Sequence, residues 1–258
     1  MSDNAFKDHF SALAGTYAAA RPEYPDALFD LIAAQVPATA RVWEAGCGSG
    51  QATRGLAARF AQVHATDPSA QQIGQHWAHD AALRGHGNVG LAIEPGERTD
   101  QADASVQLIA VAQALHWFEH ERFFAECERV LAPGGVLAAW GYCDFLAPEG
   151  MVGAVADFRG QIEEHWPPER VEIEQRYAGY EWPFPALPAP AMWLEAEWGL
   201  RRFLGYLNSM SATARCRAAT GEDPVARHGP ALSAAWGASG DVRTVQWPLF
   251  LHLRRKPG

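Results

Sequence analysis

Short apolar runs alternate with amphipathic stretches through the first half of the chain. Residues 41–45 form an apolar run broken by one carboxylate, and beyond glycines 46, 48 and 50 the pair Leu56 and Phe60 stands at helical spacing. A second strand is expected over 61–66, ending in Asp67-Pro68-Ser69 and a helix with Ile73 and Trp77 on one face. Residues 89–93 read as a short third strand. The fourth, 105–114, is apolar almost throughout, as a strand covered on both faces must be. Phe123, Phe124, Cys127, Val130 and Leu131 then mark the buried side of a helix over 119–131, which Pro133-Gly134-Gly135 is expected to stop before a fifth strand over 136–142. Five rounds of strand and helix predict a parallel sheet with helices on both faces.

The flanks differ in texture. Leu28, Ile32 and Val36 place one face of a helix that starts at Asp26 and that Pro37 ends. Ahead of it lie Phe10, Tyr17 and the run Arg21-Pro-Glu-Tyr24-Pro25, too aromatic for a free tail; Arg21 either folds over a ligand or anchors the chain on the core. After 142 we expect a helix over 151–166, a proline- and aromatic-rich stretch over 177–190, a sixth strand over 191–200, a helix with Phe203, Leu204 and Leu207 inward, and a last strand over 242–253. Seven of the ten tryptophans fall from Trp140 onward, outside the repeating pattern.

Composition narrows the partners. The 258 residues are 48% hydrophobic, enough for one α/β domain with an elaboration. A net charge of −9 disfavours a sequence-independent grip on nucleic acid phosphates. No window reaches the ~18 apolar residues of a membrane span, and the charged first ten residues lack the apolar core of a signal peptide, so a cytoplasmic protein is expected. The four cysteines include no Cys-x-x-Cys pair; we expect reduced, mostly buried thiols and no metal site.

The candidate chemistry sits where the first strand ends. Glycines at 46, 48 and 50 let a ligand approach the main chain, and Asp67, at the end of the next strand, is placed to accept two hydrogen bonds from ribose hydroxyls. That arrangement predicts an adenosine-containing cofactor. The dinucleotide fingerprint Gly-x-Gly-x-x-Gly fails in both frames, because it would need glycine at Gln51 or at Thr53.

Glu44-Ala-Gly46-Cys47-Gly48-Ser-Gly50 resembles the first motif of the class I S-adenosylmethionine-dependent methyltransferases. Asp67 resembles the ribose-binding acid of that family, Gln113-Ala114 stands where its fourth strand ends beside the cofactor, and Arg129-Val-Leu-Ala-Pro-Gly-Gly135 resembles its turn before strand five. Tyr17, Arg21-Pro22, Tyr24-Pro25, Ala114-Leu-His116-Trp117-Phe118, Trp140-Gly-Tyr142 and Gly205-Tyr-Leu207 look more narrowly like the trans-aconitate methyltransferase-like branch of the type 11 methyltransferases. Gln107 and Glu119 depart from the branch, which has an acid and Asp there.

The resemblance implies an α/β, Rossmann-like, seven-stranded, doubly wound and mostly parallel sheet with an antiparallel last strand and a helical lid or insertion. It implies one methyltransferase domain over 1–258, with a core at 26–142, an N-terminal cap at 1–25 and a substrate-side elaboration at 143–258. S-adenosylmethionine would be held by Glu44, Gly46, Cys47, Gly48, Gly50, Asp67, Gln113 and Ala114, leaving S-adenosylhomocysteine as product. Tyr17, Arg21, Tyr24, Trp117, Tyr142 and Arg201 are the expected acceptor-side residues, and His116 is either a base or an orienting group. The methionine ammonium would fall to Glu44, directly or through water. The aromatic stretch 180–198 is either a lid or core. Nucleic acid amino-methyltransferases carry an Asn/Asp-Pro-Pro-aromatic motif where this chain has Gln113-Ala-Leu-His116. The expected acceptor is therefore a small molecule, methylated at a carboxylate or hydroxyl oxygen by a monomer or homodimer. The remaining alternatives are a cofactor-binding protein without catalysis and an NAD-dependent oxidoreductase.

Overall fold

The computed structural model describes residues 21–79, 87–238 and 240–258, with side chains 76–79 left aside; Tyr17 lies outside the described residues. Five parallel strands form its centre: β1 (Arg41–Ala45), β2 (Gln62–Thr66), β3 (Val89–Ala92), β4 (Val106–Ala112) and β5 (Leu131–Tyr142). The sheet order is β3-β2-β1-β4-β5-β8-β6, where β8 (Val242–Arg255) runs antiparallel to β5. Two strands share the outer edge of β8: β6 (Ala186–Leu187) pairs at Leu253 and Arg254, and β7 (Met192–Gly199) pairs from Val242 to Leu249. The doubly wound sheet with an antiparallel last strand is thus present, and its seventh position is divided between two segments.

Alternation along β1 and β4 sorts the core into two layers. Val42, Leu108 and Ala110 face one layer with Leu28, Phe29 and Ile32 of α1 (Asp26–Ala33). Trp43, Ile109 and Val111 face the other with Phe123, Phe124, Cys127 and Val130 of α4 (His120–Val130). Both faces being covered explains why β4 reads as a continuous apolar run. Between these strands lie α2 (Thr53–Ala57), a single short turn of helix, and α3 (Ala70–His79).

Several boundaries move for identifiable reasons. The strand after α4 starts at Leu131, and Pro133-Gly134-Gly135 sits inside it as an irregularity: Val106 pairs with Leu131 and Leu108 with Val136, so the intervening residues bulge, with Gly134 at φ +75°. Gln107, which departs from the family pattern, uses its Oε1 to accept the N–H of Arg41 at 2.9 Å. Arg129 forks onto both oxygens of the buried Glu126 at 2.8 and 2.7 Å and onto the Gln101 and Thr99 carbonyls, which fastens the 99–103 loop to α4.

The C-terminal half extends the first core layer with α5 (Val152–Ile162), α7 (Leu200–Asn208), α8 (Ser211–Thr220) and α9 (Pro224–Trp236), while the short α6 (Arg170–Glu174) adds Ile173 to the second. The last two are absent from the periodicity analysis because α8 is built of small and polar residues and α9 contains Gly229 and Pro230. Their punctuation is nevertheless legible. Gly221 closes α8 at φ +75°, and Asp223 accepts the N–H groups of Val225 and Ala226 at 3.0 and 3.2 Å ahead of Pro224, the first residue of α9. Trp198, Phe203, Tyr206, Trp236 and Trp247 fill the space between this bundle and β7–β8. The aromatic stretch 180–198 is therefore core and sheet edge: Trp182 packs on Phe124 and His252, and Trp198 is buried.

Packing of α1 on α2 depends on Gly55, where a Cβ would overlap the Phe29 ring. Gly55→Ala should lower the unfolding free energy by about 1–3 kcal/mol through overpacking. Addition of Phe29→Leu should recover part of the loss, read from denaturant midpoints of the single and double variants.

Candidate functional site

A cleft of about 480 Å³ opens at the C-terminal ends of β1, β2 and β4, the point where strand order reverses in the sheet. The glycine turn after β1 forms one end. Gly46, Gly48 and Gly50 all take positive φ, at +72°, +55° and +89°, which only glycine adopts without strain. Gly46 also has no room for a side chain, since a Cβ would lie 2.7 Å from that of Ala114. Around Gly48 a Cβ would meet nothing within 4 Å, so its main chain faces open space in the cleft wall.

Asp67 joins the first two strand-to-helix turns. Its Oδ2 accepts the N–H of Gly48 at 3.0 Å and its Oδ1 accepts the N–H of Ser69 at 2.9 Å. The residue also lines the cleft. Gln51, where a dinucleotide site would have glycine, donates its side-chain amide to the Pro22 carbonyl. The glycine turn is thereby tied to the segment that carries Arg21 and Tyr24.

Glu44 lies deeper. It is fully buried on β1, outside the lining of the cleft, and neither carboxyl oxygen has a geometrically sound hydrogen-bond partner. Burial pushes its pKa up to about 8; the neighbouring Thr53 hydroxyl pulls it down and the Asp67 charge adds to the rise. Cys47 is buried as well, and desolvation with the Glu44 and Asp67 charges holds its thiol well above the usual range. It is an inert small side chain in the turn.

The other end of the cleft is lined by Arg21, Tyr24, Tyr142, Asp144, Trp166, Arg170, Tyr206 and their neighbours. Arg21 Nη1 donates to Tyr142 Oη at 2.9 Å, and Tyr24 sets its ring edge against Trp140 and Tyr142. Trp247 Nε1 donates to Tyr206 Oη at 2.8 Å beneath them. Arg170 stacks 3.6 Å over Trp166 and is engaged by Glu174 at 2.6 Å and Asp144 at 3.6 Å. Gln113 lines the cleft but spends its amide on structure: it accepts from Tyr142 N at 2.8 Å and donates to Tyr142 O at 3.2 Å, clamping the ends of β4 and β5 from a backbone at φ +54°.

His116 and Trp117 border the middle of the cleft on a 3-10 turn, Leu115–Trp117, with ring centroids 4.7 Å apart. His116 Nδ1 lies 3.1 Å from Tyr177 Oη. Desolvation, with His120 nearby, lowers its pKa to about 3, so the ring is neutral at physiological pH.

Among the described residues, the expected groups Arg21, Tyr24, Gly46, Cys47, Gly48, Asp67, Gln113, Ala114, His116, Trp117 and Tyr142 converge on one cleft. Gly50 shapes the turn from behind. Arg201 does not reach the cleft: α7 turns Phe203, Tyr206 and Leu207 inward, which leaves Arg201 and Arg202 on the exposed face. The wall formed by Trp166, Pro167, Glu169, Arg170, Ile173 and Glu174 was not anticipated, because proline and mixed charge give that segment no periodicity. Tyr206 was legible in the Gly205-Tyr-Leu207 motif, yet its place at the cleft depends on α7 packing under β8.

Comparison with known proteins agrees with this geometry. Residues 43–139 match a family model described as a methyltransferase domain. The solved structure of a candidate type II methyltransferase from Anaeromyxobacter dehalogenans is 41% identical and superposes with a TM-score of 0.83, covering 92% of this chain and 99% of that one. A methyltransferase candidate of Dictyostelium discoideum is 29% identical over 97% of this chain and 96% of its own length. The YcgJ protein of Bacillus subtilis, at 14% identity and a TM-score of 0.54 over 89% of this chain and 98% of that one, shares the fold. The cleft at the strand ends, its glycine turn and these similarities place the chain among the class I S-adenosylmethionine-dependent methyltransferases.

Proposed function

We propose that the protein methylates a small-molecule acceptor at an oxygen, carboxylate or hydroxyl, with S-adenosylmethionine as donor. The observation that carries this reading is the division of one cleft into two chemically different ends, a glycine turn with Asp67 and an aromatic end with Arg21, Tyr142 and Tyr206. The cofactor supplies an activated sulfonium methyl, and the chain has to hold, align and shield. Gly46 and Gly48 leave the main chain open, Asp67 accepts the ribose hydroxyls, and the buried, orphaned Glu44 is the acid that a cationic methionine end would satisfy, directly or through water. Alignment of donor and acceptor supplies about 7–11 kcal/mol in favourable cases.

An acceptor oxygen at the other end meets Arg21 and Tyr142, already paired at 2.9 Å and so preorganised as a donor set. Membership of the trans-aconitate methyltransferase-like branch, which this pairing of branch-motif residues supports, favours a carboxylate. In this reading residues 143–258 form the acceptor side of a single methyltransferase unit. Of the acceptor-side residues, Arg201 drops out, while Arg21, Tyr24, Trp117 and Tyr142 remain and Tyr206 joins them.

Calorimetry with S-adenosylhomocysteine and with NAD tests the donor: binding of the first alone is expected, and tight NAD binding without it would sink the reading. Asp67→Ala should weaken S-adenosylhomocysteine by about 1.5–3 kcal/mol, the range for hydrogen bonds to a charged group. Turnover of labelled S-adenosylmethionine across carboxylate, phenol and amine acceptors tests the oxygen assignment, which preferred amine turnover would refute.

Glu44 gives a prediction in the ligand-free protein. Its folded pKa of about 8 exceeds the unfolded value of 4.5, so between these pH values the folded state keeps a proton that the unfolded state has lost. Stability from this group is full below pH 4.5 and is lost as pH rises through 8. Glu44→Gln cannot titrate, so its melting temperature should gain on the wild type steadily from pH 5 to about pH 8 and level off above it. A constant difference across that window would show that Glu44 is ionised in the fold.

A further inference from the structure

Tyr177 lies outside the cleft lining and bonds the His116 ring, which lines it. It follows α6 on two successive left-handed residues, Arg176 at φ +52° and Tyr177 at φ +57°, an arrangement non-glycine residues rarely adopt. The ring is fixed on several sides. It stacks on Tyr180 at 4.9 Å and 15°, meets the Phe250 ring edge to face at 5.0 Å and 88°, and is 1% exposed. Its hydroxyl is set against the 3-10 turn that carries His116.

The hydrogen-bond inventory of that hydroxyl decides the tautomer. A phenol has one proton to donate and lone pairs to accept with. The Tyr177 ring is 1% exposed, and among the described residues His116 Nδ1, at 3.1 Å, is the partner within reach of its hydroxyl and so the acceptor for the phenol proton. If Nδ1 carried its own hydrogen and donated it to the phenol oxygen, the buried phenol proton would lose that acceptor, which is a costly arrangement. In the neutral imidazole the hydrogen then resides on Nε2, which takes no bond among the described residues while the ring lines the cleft.

We propose that Tyr177 is a positioning residue that locks His116 in its Nε2–H form, so that the imidazole meets an acceptor as a hydrogen-bond donor and not as a base. The neighbours agree. His120 on α4 bonds the Leu115 carbonyl at 3.2 Å and lies 3.7 Å from Glu172 on α6, whose carboxylate also takes the Tyr180 hydroxyl. Glu172 is thus engaged by two other groups, and no carboxylate is paired with His116 to hold it as a cation. The consequence for chemistry rests on the methyl-transfer reading: His116 supports an acceptor oxygen through Nε2–H, and the acceptor must bring its own ionised lone pair. The tautomer itself does not depend on that reading.

The test is a long-range proton–nitrogen correlation spectrum of the full chain with nitrogen-labelled histidine, in which His116 is assigned by loss of its signals in His116→Gln. At pH 7 the wild type should show a protonated Nε2 and an unprotonated Nδ1, unchanged down to pH 5. Tyr177→Phe keeps the ring packing and removes only the hydroxyl; its His116 should lose the single tautomer and give averaged nitrogen shifts. With a working acceptor, kcat of Tyr177→Phe should fall about tenfold, the equivalent of one hydrogen bond. A protonated Nδ1 in the wild type, a His116 that titrates near pH 6.5, or an unchanged tautomer in Tyr177→Phe would each overturn the proposal. Since the spectra need no turnover, absence of methyl transfer would count against the function and leave the tautomer assignment standing.

Discussion

The position of β1 between β2 and β4 is the constraint on which the site depends. Glu44 pairs with Ala65 on one side and with Ala110 on the other, and the strand is covered on both faces, so it has no freedom to slip. A slip of one residue would exchange Val42 and Trp43 between two packed layers. This fixed register brings Ala45, Thr66 and Ala112 to one edge, and the turns that leave them enclose the cleft. The Asp67 carboxylate then joins two of those turns through Gly48 N and Ser69 N, so the group proposed for the ribose also sets the shape of the glycine turn.

The electrostatics of the cleft follow from the same burial. Glu44, Cys47 and His116 are all pushed toward their neutral forms, each mainly by desolvation. Asp67 beside them accepts two main-chain N–H groups. At the other end, Arg170 is matched by Asp144 and Glu174, and Arg21 is engaged by Tyr142. In such a low-dielectric setting the charge that a ligand brings acts strongly on the buried groups around it.

How much of this the sequence disclosed depends on the physical range of each determinant. Two-face burial, glycine at positive φ and the acid at the second strand end are local properties, and β1 to β4, Gly46 to Gly50 and Asp67 were read from them. The cleft wall at Trp166–Glu174 and the place of Tyr206 depend on how distant helices pack, which periodicity does not encode. Arg201 shows the reverse error: it stood near an aromatic motif in sequence, yet a helix places Arg201 and Phe203 on different faces. At the sheet edge β7 matches the strand expected over 191–200, while β6 stayed hidden because two residues are too few to display an alternation and their register comes from β8.

Two long-range contacts connect the ends of the cleft through residues 21–25. Gln51 reaches from the glycine turn to the Pro22 carbonyl, and next to it Arg21 reaches from the same segment to Tyr142 at the end of β5. The glycine turn and the Arg21–Tyr142 pair are therefore anchored to adjacent residues of one segment. Gln51, which excludes a dinucleotide fingerprint, is also a tether between the two ends of the cleft, and a glycine in its place would satisfy the fingerprint and remove that tether.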